Sequence, residues 1–179
     1  MSSYGGKELG SAFRTVRKNT VQVAEDIPDA QYNHVAAPDC RSVGRMLTHI
    51  AITTQIWEEL LGKQQLTTMV GVNFIGMMER FNAEEAKPRS KAEIVEWLKS
   101  TGEGFAAWLE TLTPEFLAGT VTDPDGKTVK SRLERLLGAK EHEMHHRAQL
   151  MLIERQLGIV PHLTRQANER IAQMRAAKV

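Results

Sequence analysis

The chain has 179 residues, with 23 Lys+Arg against 22 Asp+Glu and a formal charge of +1, which gives no global pull toward nucleic acid or an anionic membrane. Hydrophobic residues make up 41%, with 13 Gly and 6 Pro, close to average usage and unlike disordered or low-complexity chains. Cys40 is the only cysteine, so no intrachain disulfide can form, and neither a secretion signal nor a membrane span of ~20 apolar residues is visible; a single soluble, cytoplasmic domain over residues 1–179 is expected.

Period-2 alternation is nearly absent, and the 3.6-residue period recurs. Leu9, Phe13, Val16, Thr20 and Val23 form one stripe, predicting a first helix over about 6–25 that Pro28 ends. Residues 28–39 carry two prolines and read as a connector. A second helix starts near Asp39 or Ser42 and runs to Leu61, with Gly62 as its C′ residue. Its core arc holds Val43, Met46, Leu47, Ile50, Thr53, Ile56, Trp57 and Leu60, with His49 inside that arc. Arg45, Thr48, Gln55, Glu58 and Glu59 take the other side. Between 63 and 89 a short helix through VGVNFIGMMERFN is expected, capped by Thr67 or Thr68. Ser90 and Glu93 form a capping box that opens the third long helix, carrying Ile94, Val95, Leu98, Phe105, Trp108, Leu109 and Leu112 in helical period. Thr113-Pro114-Glu115 starts another helical turn, and Asp123-Pro124-Asp125-Gly126 is turn chemistry.

The last long helix is expected over about 128–157, closed by Gly158 with Pro161 beyond. It shows two stripes, Leu133, Leu137, Met144, Ala148 and Met151 on one and His142, His146, Leu150, Ile153 and Leu157 on the other. Residues 161–179 form a C-terminal extension, a basic, weakly amphipathic helix with Arg165, Arg170, Arg175 and Lys178. Four long helices with short connections predict an all-α, up-and-down four-helix bundle, with an extra short helix between the second and third and a helix at the C-terminus.

Six histidines are available, and three crowd into EHEMHHRAQL. His142 and His146 stand at i, i+4 and share a helix face, while His145 turns about 60° away from His142. A third nitrogen from another helix would complete a three-histidine metal set with open positions. His49 is the natural donor, since His34 and His162 fall in connectors. The alternative for each is a core imidazole satisfied by its neighbours; burying three without a shared partner, however, leaves hydrogen-bonding capacity unmet at each. The same segment also matches H-E-x-x-H, the helix-borne signature of zinc hydrolases, for which Glu169 is the downstream glutamate that could add a ligand. Cys40 reads as a bystander, the methionines as core filling and the three tryptophans as core and rim.

The segments PDCRSVGRMLTHI and HEMHHRAQL, with the connector IPDAQYNHVAAPD before them, together resemble the DinB/YfiT-like superfamily over roughly residues 6–160. The resemblance implies a four-helix bundle, commonly a homodimer. It also implies a divalent metal, zinc or nickel first with iron or manganese as further possibilities, held by His49, His142 and His146. It further implies transferase or isomerase chemistry with a low-molecular-weight thiol. Ala148 stands where many relatives have glycine.

Two readings of different kind follow. One is a metal-dependent, thiol-dependent transferase acting on a small electrophile, with no nucleic-acid or membrane partner and with catalytic residues unassigned, although Glu141 and Glu143 flank the ligands. The other is a non-catalytic helical dimer with a structural or stress-response role. The two apolar stripes of the last helix give an independent reason to expect a homodimer, because a monomeric bundle needs only one of them buried.

Overall fold

The structure is a computed structural model that describes residues 4–177, so Lys178 of the basic tail lies outside the described residues. Its elements are α1 (Gly6–Asp26), a 3-10 turn (Asp29–Gln31), α2 (Val43–Trp57), a π-helical turn (Glu58–Lys63), α3 (Phe74–Glu85), α4 (Lys91–Glu110), α5 (Pro114–Ala118), β1 (Thr120–Thr122), β2 (Val129–Ser131), α6 (Arg132–Gln156) and α7 (His162–Ala176). Helices α1, α2, α4 and α6 form the four-helix bundle.

Several helix starts have a local cause. Ser42, Ser90, Thr113 and Ser131 accept hydrogen bonds from the third helical amide, and Ser90 and Ser131 belong to full capping boxes. Three expected boundaries shift. The last long helix begins at Arg132 because residues 129–131 pair with 120–122 in an antiparallel hairpin. The cap of α3 is Asn73, and Thr68 instead bridges to Thr122. Gly62 is not a C′ residue: α2 continues into the π turn, where Gln64 donates to the Glu59 carbonyl at 2.9 Å. A Cβ at Gly62 would lie 3.0 Å from the Trp108 ring, so close approach is what glycine permits there. Gly158 does take the left-handed C′ conformation, with φ of 77°.

The winding of the bundle departs from strict alternation. Gly6 packs on the Leu109 carbonyl, while Lys91 donates to the carbonyls of Glu25 and Ile27, so α1 and α4 are antiparallel. Gly44 lies beside Ile94 and Gly62 beside Trp108, so α2 and α4 run parallel. Arg17 bonds Glu143, and Asp26, at the end of α1, bonds Arg165 just past α6, so α1 and α6 also run parallel. The sense is therefore up–down–down–up, and it is residues 64–90, with α3, that carry the chain back along α2. The ring order is α1–α4–α2–α6, which places the first two long helices on a diagonal. Thr48, on the expected polar side of α2, is buried, as are Ala51, Ile52 and Thr54, and Ala51 packs in the main core with Ile94, Val95 and Leu98 of α4.

Two apolar clusters fill the bundle. One gathers Val23, Ile27, Leu47, Ile50, Leu98 and Leu150, the other Phe13, Leu61, Phe105, Leu109 and Leu136. Between them lies a charged layer. Arg17 donates through Nε and Nη2 to Glu143 at 2.9 and 3.0 Å, and through Nη1 to the Leu98 carbonyl at 2.7 Å. Both side chains are at most 5% exposed. Gly102 makes room for the pair, since a Cβ there would sit 2.4 Å from Arg17 Cγ. On α6 this inward face carries Glu143, Arg147 and Glu154, whereas Met144 and Ala148, from an expected apolar stripe, are exposed.

Glu154 is fully buried, and neither carboxylate oxygen has a partner among the described residues. Burial first, and then the charge of Asp26, push it up to about 7 from an ordinary 4.5. Between those values the native state keeps a proton that the unfolded chain has released, so this group's effect is to lower stability as pH rises through that window. Glu154→Gln is expected to match the parent near pH 4.5 and to exceed it by on the order of 3 kcal/mol above pH 7. Urea denaturation across pH 4.5–8 checks this, and a difference that stays constant with pH would refute it.

Candidate metal centre

The antiparallel packing of α2 against α6 brings mid-α2 to the middle of α6, where His142 and His146 lie one turn apart. Nε2 of His142 is 3.0 Å from Nε2 of His49 and 3.1 Å from Nε2 of His146. One nitrogen from each of the three falls within 4.8 Å of the others. All three rings are half-buried at one edge of the helix pair. The three sequence candidates are thus brought together, and they meet through the same ring atom.

The other ring nitrogens explain why. His49 Nδ1 lies 2.5 Å from Glu85 Oε1, and Arg41 Nε donates to Glu85 Oε2 at 2.8 Å. Burial pushes the Glu85 carboxyl up, but the bonds from His49 and Arg41 outweigh it and hold the group below the ordinary carboxylate range. An ionised carboxylate only accepts, so the His49 proton sits on Nδ1 and Nε2 presents a lone pair. His146 Nδ1 is likewise 2.8 Å from Oε1 of the Gln149 side-chain amide, which leaves its Nε2 bare. His142 can donate a single Nε2–H to one of these two lone pairs, and the other then faces no donor. A shared cation resolves this, since it accepts all three lone pairs at once.

Two of the three separations, 3.0 and 3.1 Å, are near the roughly 3.3 Å edge of a tetrahedron with bonds of about 2.0–2.1 Å, and the third lies within 4.8 Å, so the set is compact enough for a zinc-like ion. Three imidazoles also leave coordination open for a small molecule. At His142 and His146 protonation does not compete at neutral pH. Burial, then the neighbouring histidines, lower His142 to about 4, and burial lowers His146 as well.

The remaining candidates lie apart from this point. His145 is exposed, and its ring stands beside that of His146 without joining the group. His162 is buried against Asn19 at 3.2 Å, and His34 lies in the connector. Glu143, the glutamate of the H-E-x-x-H match, turns into the core and is held by Arg17, while Glu169 is exposed on α7. The zinc-hydrolase signature therefore lacks both its base and its extra ligand. Glu141 and Cys40 are exposed. The residue that sequence reasoning missed is Glu85. It lies in the segment of weakest periodicity, 36 residues from its histidine partner, and the only hint was a carboxylate inside an otherwise mixed helix.

The sequence profile of the DinB superfamily matches residues 12–150. No curated protein matches the sequence. Among solved structures, the chain is similar to YfiT from Bacillus subtilis, described as a probable metal-dependent hydrolase with an unusual four-helix bundle topology. The TM-score is 0.69 at 17% identity, covering 89% of this chain and 91% of that one. It is also similar to the DinB-like protein YjoA from Bacillus subtilis, with a TM-score of 0.63 at 20% identity, covering 84% and 92% respectively. A profile match over most of the bundle, together with the fold shared with these two structures, shows that this chain belongs to the DinB superfamily.

Proposed function

We propose that the protein is a metal-dependent enzyme that adds a low-molecular-weight thiol, or water, to a small electrophile at the three-histidine centre. The observation that carries this reading is the convergence of three Nε2 atoms, two of them with Nδ1 committed elsewhere. A divalent ion there, zinc or nickel by its nitrogen donors, supplies a Lewis acid that lowers the pKa of a bound thiol or water. The chain's part is to fix the ligands. Glu85 orients His49, Arg41 holds Glu85, and Gln149 orients His146. Thiol transfer is the first assignment. Hydrolysis is the second, favoured by the description of the structurally similar YfiT as a probable metal-dependent hydrolase.

Protein purified without an affinity tag is expected to carry about one divalent ion per chain and to turn over a thiol-plus-electrophile pair. Chelation should abolish that turnover and metal should restore it. An absence of bound metal after native purification would remove the reading.

The proposal extends to assembly as a cytoplasmic homodimer. No helix among the described residues is long and apolar enough to cross a membrane. Met144 and Leu152 of α6 and Ile171 and Met174 of α7 are exposed apolar side chains, with Leu152 and Met174 each 60% exposed. A two-fold interface covering them accounts for their chemistry. Sedimentation at micromolar concentration is expected to show about twice the 20.1 kDa chain mass, and a single monomeric species would refute it.

A further inference from the structure

A groove of about 950 Å³ opens between α2 with its π turn, α3 and α4, and none of the three histidines lines it. Its walls include Ile52, Ile56, Met77, Phe81, Trp97 and Phe105. That size and that aromatic-rich lining suit a small organic molecule. The π turn forms one side through Glu58, Glu59, Leu60 and Lys63; such turns are a costly local geometry found most often at functional sites.

Gly104 is the second observation. It lies in the interior of α4 and lines the groove, and a Cβ there would touch nothing within 4 Å. Glycine in a helix interior costs about 1 kcal/mol relative to alanine. Gly102, two residues away, is explained by Arg17; Gly104 has no packing neighbour to explain it. Without a side chain it leaves that part of the groove wall open.

Charge on the rim selects the occupant. Glu59 is engaged by Lys63 and Gln64, and Glu84 by Lys87 and Arg89. Arg80, exposed on α3, forms no ion pair among the described residues, although it lies near enough to Glu59 to help hold that carboxyl low, and Glu58 lines the groove from the π turn, likewise without an ion pair there. An anionic head therefore belongs on the α3 side, against Arg80, the rim cation with no ion pair, with a flat apolar body beside the aromatic side chains. We propose that this groove is a binding site for a small aromatic organic anion, separate from the histidine centre.

The test titrates chelator-treated protein with 1-anilinonaphthalene-8-sulfonate and with its uncharged analogue N-phenyl-1-naphthylamine, read by fluorescence. One saturable site per chain is expected for each dye. Gly104→Met should weaken both at least tenfold without lowering the melting temperature, because the new side chain enters open space. Arg80→Gln should weaken the sulfonate roughly tenfold, as expected for loss of a hydrogen bond to a charged group, and leave the uncharged dye unchanged. His142→Ala should leave both titrations unaltered. The site is overturned if the parent binds neither dye saturably, or if Gly104→Met titrates like the parent. A loss of both dyes on His142→Ala would place them at the histidines and overturn the separation. Equal weakening of both dyes by Arg80→Gln would overturn the choice of an anion.

Discussion

His146→Ala is expected to abolish tight metal binding, His145→Ala to leave metal content unchanged, and Glu85→Ala to fall between them. His146 supplies one of three converging Nε2 atoms, whereas the adjacent His145 is exposed and outside the group. Loss of one ligand leaves two donors and should weaken binding by well over 100-fold, more than any change in the groups that orient the ligands. Glu85→Ala keeps all three ligands but frees His49 Nδ1 and leaves Arg41 without its carboxylate. Removing such an orienting group typically costs 10–100-fold in metal affinity. Competition with a chromophoric chelator at pH 7.5 measures all three on one scale. If His145→Ala lost the metal and His146→Ala kept it, the i, i+3 pair would be the ligand set.

The second large effect belongs to the charged layer between the two apolar clusters. Arg17→Met should destabilise the protein by about 3–5 kcal/mol, because Glu143 would remain buried with its charge uncompensated. Replacing both residues, Arg17→Met with Glu143→Leu, should recover most of that loss, since the cost lies in the orphaned carboxylate. Urea denaturation of the two single variants and the double variant gives the cycle. A cost below about 1 kcal/mol for Arg17→Met would mean that water reaches Glu143. Metal affinity in the double variant should stay near that of the parent, because Glu143 serves the core rather than the histidines.

Local signals in the sequence were dependable where the chemistry was itself local. The Ser90–Glu93 capping box, the cap at Thr113 and the left-handed Gly158 each act within a few residues, and each lies where it was expected. The apolar stripe of α1 was legible in full: Leu9, Phe13, Val16, Thr20 and Val23 are all buried. The convergence of His49, His142 and His146 was legible as well, because helical period fixes a facing and only two helices had to meet.

Residues whose role depends on distant partners were not legible. Arg17 and Glu143 are separated by 126 positions, and on their own helices both look like solvent-facing charges. Strands of three residues are too short to show a period, so the hairpin was absorbed into the following helix. Glu85 escaped because α3 is amphipathic toward a groove and a histidine rather than toward the main core. The sense of the bundle was hidden for a similar reason, since amphipathic stripes carry no direction.

The up–down–down–up winding also bears on how the molecule folds. In a bundle of consecutive hairpins, each helix pairs first with its sequence neighbour across a short loop. Here α1 meets α4 and α6, while α2 is diagonal to it, so most seams close over long stretches of chain. Loop-closure entropy must be met before burial repays it. Folding should therefore run slower than is usual for an all-helical chain of this size. His49 and His142, 93 residues apart, come together only when the last long helix docks against α2, so the three-histidine cluster reports completed assembly rather than an early nucleus.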